Sequence, residues 1–216
     1  MIMKKFVLSF VLIMAFAAAH AQFTAKDAWL SMPDDILPYL NQSMRTDHVE
    51  FYNMNIESKV KNLLQGKCVM DTLTADFLFV RLNEVTELQL KTLPYGADTL
   101  ICCVKTLSAP MAESEIAFYR KDWSAIDGNF GLPLSREPAQ LLQMFTAKPD
   151  TLEQDEFVNL QKLIDPVMLQ ILFSPDGQSL KIQIATSAPT KSENLKLKAL
   201  IKQRNFKWNG QFFNEY

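Results

Sequence analysis

Through the middle of the chain, apolar and polar residues alternate with a period of two. From Asp76 to Leu82 the pattern puts Leu78, Val80 and Leu82 on one face. From Thr86 to Thr92 it puts Leu88, Leu90 and Thr92 on one face, with Glu87, Gln89 and Lys91 opposite. Such alternation predicts half-buried antiparallel strands. Pro94 to Asp98 reads as a turn, 99–107 as a third strand, and 113–120 as a fourth with Ile116 and Phe118 inward. Residues 122–131 then close the unit as a loop. Ahead of these strands the spacing is helical. Thr24 is a natural N-cap for a short helix with Asp27 at its third position. A second helix is expected over 43–52, with Met44, Val49, Phe51 and Tyr52 available for packing, and a third over 56–64, ending near Gly66 as a C-cap.

The same order returns after Arg136. Pro138 suits the first turn of a helix through Phe145, and Phe157, Leu160 and Leu163-Ile164 recur at helical spacing in the next. Strands are expected over 167–174 and 179–186 around Pro175-Asp176-Gly177. A basic helix follows over 192–202, and then a last strand or hairpin around Asn209-Gly210. The block from Leu88 to Pro110 matches that from Leu169 to Pro189: Leu88-Gln89-Leu90 with Leu169-Gln170-Ile171, Pro94 and Gly96 with Pro175 and Gly177, Leu100 with Leu180, and Ala109-Pro110 with Ala188-Pro189. The expected fold is α+β, with two tandem units of helices followed by antiparallel strands, 22–131 and 132–216, in one compact domain and with the helices packed on one sheet face. One continuous sheet open to water on its other face, or two small sheets end to end, would both satisfy the pattern. In the aligned strands, Leu100, Cys102 and Val104 stand where the second copy has Leu180, Ile182 and Ile184. Cys102 is therefore expected in the core, and Cys103, opposite Gln183, is expected to face outward.

Composition adds a compartment. Lys4 and Lys5 precede an apolar run from Phe6 to Ala19, and Ala19-His20-Ala21 has small residues at cleavage-site positions. Residues 1–21 read as a secretory signal peptide, too short to span a bilayer and followed by no cysteine that would take a lipid. The expected location is the periplasm or the exterior, with no membrane span after cleavage. Without Lys4 and Lys5, the 22 basic residues become 20 against 24 acidic. With no basic cluster to track phosphates, nucleic acid is not an expected partner.

Candidate chemistry is sparse. Once His20 leaves, His48, beside Asp47 and Glu50, is the one histidine, and a surface or capping role is expected for it. Cys68, Cys102 and Cys103 are an odd count for an oxidising compartment; Cys68 and Cys103 are the candidates for a disulfide or a reactive thiol. Asp34-Asp35 and Asp150 with Asp155-Glu156 suit helix starts, or an acid pair assembled in space. None of the six glycines lies in a GxGxxG, GxxxxGK or GxSxG pattern. No catalytic, cofactor or metal site is expected. Tyr119 and Trp123 lie on or beside a strand whose inner face already has Ile116 and Phe118, which makes them candidate exposed anchors for a partner.

ICCVKTLSAP (residues 101–110) and the following IAFYRKDW (residues 116–123), together with the signal peptide, resemble the domain of unknown function DUF3256, a family of secreted Bacteroidales proteins; the resemblance brings no assigned active site. The tandem units resemble, in architecture only, the β-lactamase-inhibitor-like and PepSY-like periplasmic folds. The reading that follows is a non-catalytic periplasmic or cell-surface binding protein that holds a protein or peptide on one open sheet face. A hydrolase with a carboxylate pair and a structural subunit of an envelope assembly are the alternatives.

Overall fold

A computed structural model describes residues 22–134, 136–187 and 190–216. The expected signal peptide, and Ala188-Pro189 at the end of the second matched block, lie outside the described residues. Among them the chain forms five helices and two antiparallel sheets.

Seven strands follow one another in sequence order to make the large sheet: β1 (Lys59–Lys61), β2 (Lys67–Leu73), β3 (Phe77–Arg81), β4 (Thr86–Tyr95), β5 (Asp98–Leu107), β6 (Glu113–Tyr119) and β7 (Ala125–Ile126). On one face lie α1 (Ala25–Ser31) and α2 (Gln42–Asn53), which with Leu40 of their connection bury Ala28, Trp29 and Val49 against Leu78, Val80, Leu88, Leu90 and Ile101. Thr24 and Asp27 cap α1 reciprocally. Arg45, 1% exposed, ties the two helices together: Nε donates to the Trp29 carbonyl, Nη1 to Asp34 and to the Leu40 carbonyl, and Nη2 to the Met32 carbonyl. All three of its nitrogens are thus satisfied, which makes a buried guanidinium tolerable.

The small sheet has the order β11 (Phe213–Glu215), β10 (Arg204–Trp208), β9 (Leu180–Ile184), β8 (Leu169–Phe173). It lies on the other face of the large sheet. Ile171, Phe173, Leu180, Ile182, Ile184, Phe206 and Phe213 share one core with Phe77, Leu93, Leu100, Cys102, Val104 and Phe118. Helices α3 (Pro138–Phe145), α4 (Gln154–Gln161) and α5 (Lys191–Leu200) complete this core with Leu141, Phe145, Leu160, Leu197 and Leu200.

The sheets are joined by polar bonds as well as apolar ones. Strand β8 is an edge strand, and its outward backbone groups meet side chains of the large sheet. Gln89 Oε1 accepts from Phe173 N at 2.8 Å and Gln89 Nε2 reaches the Phe173 carbonyl at 3.5 Å. Ser114 Oγ accepts from Ile171 N at 2.8 Å, and the Ile171 carbonyl faces the hydroxyls of Thr106 and Ser114 at 3.3 Å each. At the hairpin tip, Gly177 (φ +69°) lies so close to Phe77 that a Cβ there would stand 2.6 Å from Phe77 Cγ. Phe77 in turn packs edge-on against Phe173.

Several expectations change. Residues 56–64 are not a helix: Lys59–Lys61 alternate exposed, buried, exposed and pair with Lys67–Val69, and Gly66 belongs to the connecting turn, where Asn62 Oδ1 accepts from Leu64 N and Gly66 N. Gln89 and Lys91 do not face water, because the small sheet covers them; Lys91 Nζ meets Asp76 at 2.6 Å. The sheet that holds the first matched block is thus covered on both faces. The sheets lie face to face, neither continuous nor end to end.

Candidate functional site

The cysteines are free thiols, and all three are buried. Cys102 is in the shared core as expected. The outward placement of Cys103 is corrected: its side chain does leave the shared core, but into the layer beneath α1 and α2, with 7% exposure, and burial pushes its thiol up to about 12. Cys68 lies in the same layer, where its thiol donates to the Leu82 carbonyl at 3.0 Å and burial raises its pKa. A reactive thiol needs exposure and a lowered pKa, and neither Cys68 nor Cys103 has them.

His48 is fully buried, which corrects the expected surface role. Ser58 Oγ donates its one proton to the His48 carbonyl at 2.8 Å, so at 3.0 Å from Nδ1 it accepts. The imidazole is therefore the neutral Nδ1–H tautomer. Its Nε2 has no partner among the described residues, and burial lowers its pKa to about 4. A nucleophilic serine would have to send its proton to the imidazole; here the direction is reversed and both side chains are sealed from solvent.

Trp123 and Tyr119 are not exposed anchors. Trp123 is 6% exposed, with φ +65°, and its Nε1 donates to Ser31 Oγ at 3.2 Å, which fastens the chain after β6 to the end of α1. Tyr119 is half-buried, with its ring 5.1 Å from that of Trp123. The candidate acids are dispersed: Asp34 bonds Arg45 in the α1–α2 connection, and Glu156, on α4, bonds Lys196 on α5. Among the described residues no three of His, Cys, Asp and Glu gather as a metal site would require, and no helix is long and apolar enough to cross a membrane.

What the structure leaves available is the outer face of the small sheet. Residues alternate in and out along each strand, so with Ile171, Ile182 and Phe206 inward, Gln170 and Leu172 of β8, Lys181 and Gln183 of β9, Asn205 and Lys207 of β10, and Asn214 of β11 face out. All are half-buried or exposed. Every buried residue of α3, α4 and α5 belongs to the inner core. At one end, this face deepens into a trough of about 550 Å³ between residues 108–112 and the end of α5, where Gln170, Gln183, Gln203 and Lys198 converge. A smaller hollow of about 210 Å³ adjoins it, sharing Pro110, Met111, Ala185 and Thr186, and continues to Leu163 and Pro166. Gln183 Nε2 donates to Gln170 Oε1 at 2.8 Å, and Gln203 Nε2 to Asn205 Oδ1 at 2.9 Å.

Two other hollows of about 660 Å³ have part of their charge matched internally, with Arg136 lining one and Lys67 and Glu84 the other outside any ion pair among the described residues. In the one beside β11, Arg204 is held by Glu215 and lies over the Phe145 ring; in the one over β1–β3, Lys59 pairs with Glu57 and Arg81 with Asp71. The trough was missed in the sequence because it is assembled from four separate segments. The one local signal was the alternation of Lys181 and Gln183 with Leu180, Ile182 and Ile184.

The family described as "Protein of unknown function (DUF3256)" matches residues 17–213. No curated protein matches the chain. A solved domain of an uncharacterized protein from Porphyromonas gingivalis W83 is similar in fold, with a TM-score of 0.69 and 19% identity over 88% of this chain and 97% of that one.

Proposed function

We propose, for a chain that belongs to the DUF3256 family of proteins of unknown function, the role of an exported, non-catalytic binding protein that holds a protein or peptide partner on the outer face of its small sheet. One observation carries the reading: the large sheet is covered on both sides, whereas the small sheet keeps a polar face on which, among the described residues, no buried residue of a helix packs. A buried sheet face is structural. A retained open one, ending in a trough with a smaller hollow of mixed lining beside it, has the mixture of shape and polar groups that binding surfaces use. Export is supported by the Lys4-Lys5, apolar-run and Ala19-His20-Ala21 pattern. The likeness of the two matched blocks supports duplication of one unit, whose second copy kept its outward face free.

The test is site-specific photocrosslinking of the full chain in its native envelope, with the crosslinking side chain at Gln183, at Asn205, or at Glu50 on α2 as the off-face control. The reading expects one adduct shared by the first two positions and absent from the third. Adducts from Glu50 alone, or equally from all three positions, would overturn it.

A further inference from the structure

We infer that the partner presents an extended, carboxylate-bearing peptide segment to this face. The inference rests on the binding reading above and adds the chemistry of the ligand.

The chain as a whole is slightly acidic, with 24 acidic against 22 basic residues, yet its open face has the opposite balance. Lys181 and Lys207 project from it, and Lys198 lines the trough at its end. Neither the outward strand positions nor the trough lining includes an aspartate or a glutamate; Asp165 lines the smaller hollow that adjoins the trough. Among the described residues none of these three lysines is in an ion pair, which is also true of most lysines of the chain; what sets them apart is a shared face without acidic side chains. The cations of this face are therefore uncompensated within the molecule, and an anionic partner would complete them.

The other side chains choose among anions. A guanidinium is the group that matches phosphate and sulfate with paired bonds, and this face has none: Arg204 is on the inward-facing register of β10 and is held by Glu215. What accompanies the lysines is amide. The Gln183–Gln170 bond uses one Gln183 N–H and one lone pair of Gln170 Oε1, and leaves both Gln170 N–H groups, the second Gln183 N–H and the Gln183 carbonyl oxygen, so the pair offers donors and an acceptor side by side. That is the complement of a peptide group. Leu172 and Tyr216, the latter 71% exposed, add apolar contact beside the lysines. Acidic side chains alternating with apolar ones on an extended strand would meet both.

The test uses the full chain and fluorescent peptides Glu-Leu-Glu-Leu-Glu-Leu, Gln-Leu-Gln-Leu-Gln-Leu and Lys-Leu-Lys-Leu-Lys-Leu, read by anisotropy. The Glu peptide should bind saturably, weaken with added salt as a screened contact does, and bind about tenfold more tightly than the Gln peptide, a plausible sum for two or three exposed charge pairs. The surface double variant Lys181→Glu/Lys207→Glu should lose that preference and retain the wild-type thermal transition. Equal binding of the Glu and Gln peptides, both blocked by Gln183→Trp, would overturn the charge argument and leave the peptide-binding reading standing. Binding of heparin, or of vesicles of phosphatidylserine and phosphatidylcholine, more tightly than the Glu peptide at the same ionic strength would overturn the peptide in favour of those anions. No saturable binding of the Glu peptide would also overturn it. Failure of the peptide-holding reading itself would show separately, as crosslinks that avoid Gln183 and Asn205.

Discussion

Gly96 and Gly177 occupy matched places in the two sequence blocks and have nearly the same backbone, φ +60° and φ +69°. Their surroundings differ. Around Gly96 nothing lies within 4 Å of where a Cβ would stand; around Gly177 the added atom would meet Phe77 Cγ at 2.6 Å and Phe77 Cβ at 2.7 Å. Gly→Ala at either position should incur the left-handed backbone penalty of about 1–2 kcal/mol. At Gly177 there is also an overlap to relieve. Phe77 cannot relieve it by turning outward, since it is 1% exposed and in edge contact with Phe173, so overpacking adds about 1–3 kcal/mol. Gly177→Ala should therefore lower stability by about 2–5 kcal/mol and Gly96→Ala by only the backbone part. Urea unfolding measures both, provided the slope m is unchanged and the midpoint moves. The informative quantity is the difference between the two variants. If they lose the same stability, the hairpin β8–β9 does not rest on Phe77, and the placement of the small sheet on the large one is wrong.

Other perturbations probe other layers. Gln89→Ala should remove the partner of the Phe173 backbone and lower stability by about 1–3 kcal/mol, with faster amide exchange at Phe173; unchanged exchange there would refute the side-chain seal of β8. For His48 the folded pKa is depressed to about 4 from 6.5. The unfolded chain therefore binds the extra proton first: the contribution is complete above pH 6.5 and is lost as the pH falls toward 4, by about 3 kcal/mol at the lower end. His48→Gln should flatten the slope of thermal stability between those two pH values, and an unchanged slope would assign it to other groups. Cys68, Cys102 and Cys103 should resist a thiol reagent in the native protein and all react in denaturant, as mass spectrometry would count; native labelling of Cys103 would contradict its burial.

Much of the fold was legible because its cores use plain alternation. Leu78, Val80 and Leu82, and likewise Leu180, Ile182 and Ile184, could be assigned to single faces from their spacing alone. The Thr24–Asp27 cap was equally local. What failed was inference about what lies over a face. Gln89 and Lys91 look like solvated positions, and their burial under the small sheet is tolerated because their polar atoms are satisfied by Phe173 and Asp76, partners 84 and 15 residues away. Cys103 and Trp123 were assigned to the surface for the same reason: period two separates the faces of a strand and says nothing about a helix layer contributed by residues 25–53. The short strand β1 was missed because Lys59-Val60-Lys61 has a single apolar residue, too little for either period to show.

The seal on β8 also limits how a partner can attach. Proteins commonly capture an extended peptide by letting it join a sheet as one more strand, with main-chain bonds supplying affinity that is nearly indifferent to sequence. On the β8 side of the small sheet, that route is closed where Ile171 and Phe173 already spend their outward groups on Ser114, Thr106 and Gln89, and on the β11 side Phe213 N is taken by the Phe130 carbonyl. Under the proposed reading, a peptide at those positions would lie across the strands and be read by side chains, so its recognition would depend on its sequence as well as on its being extended.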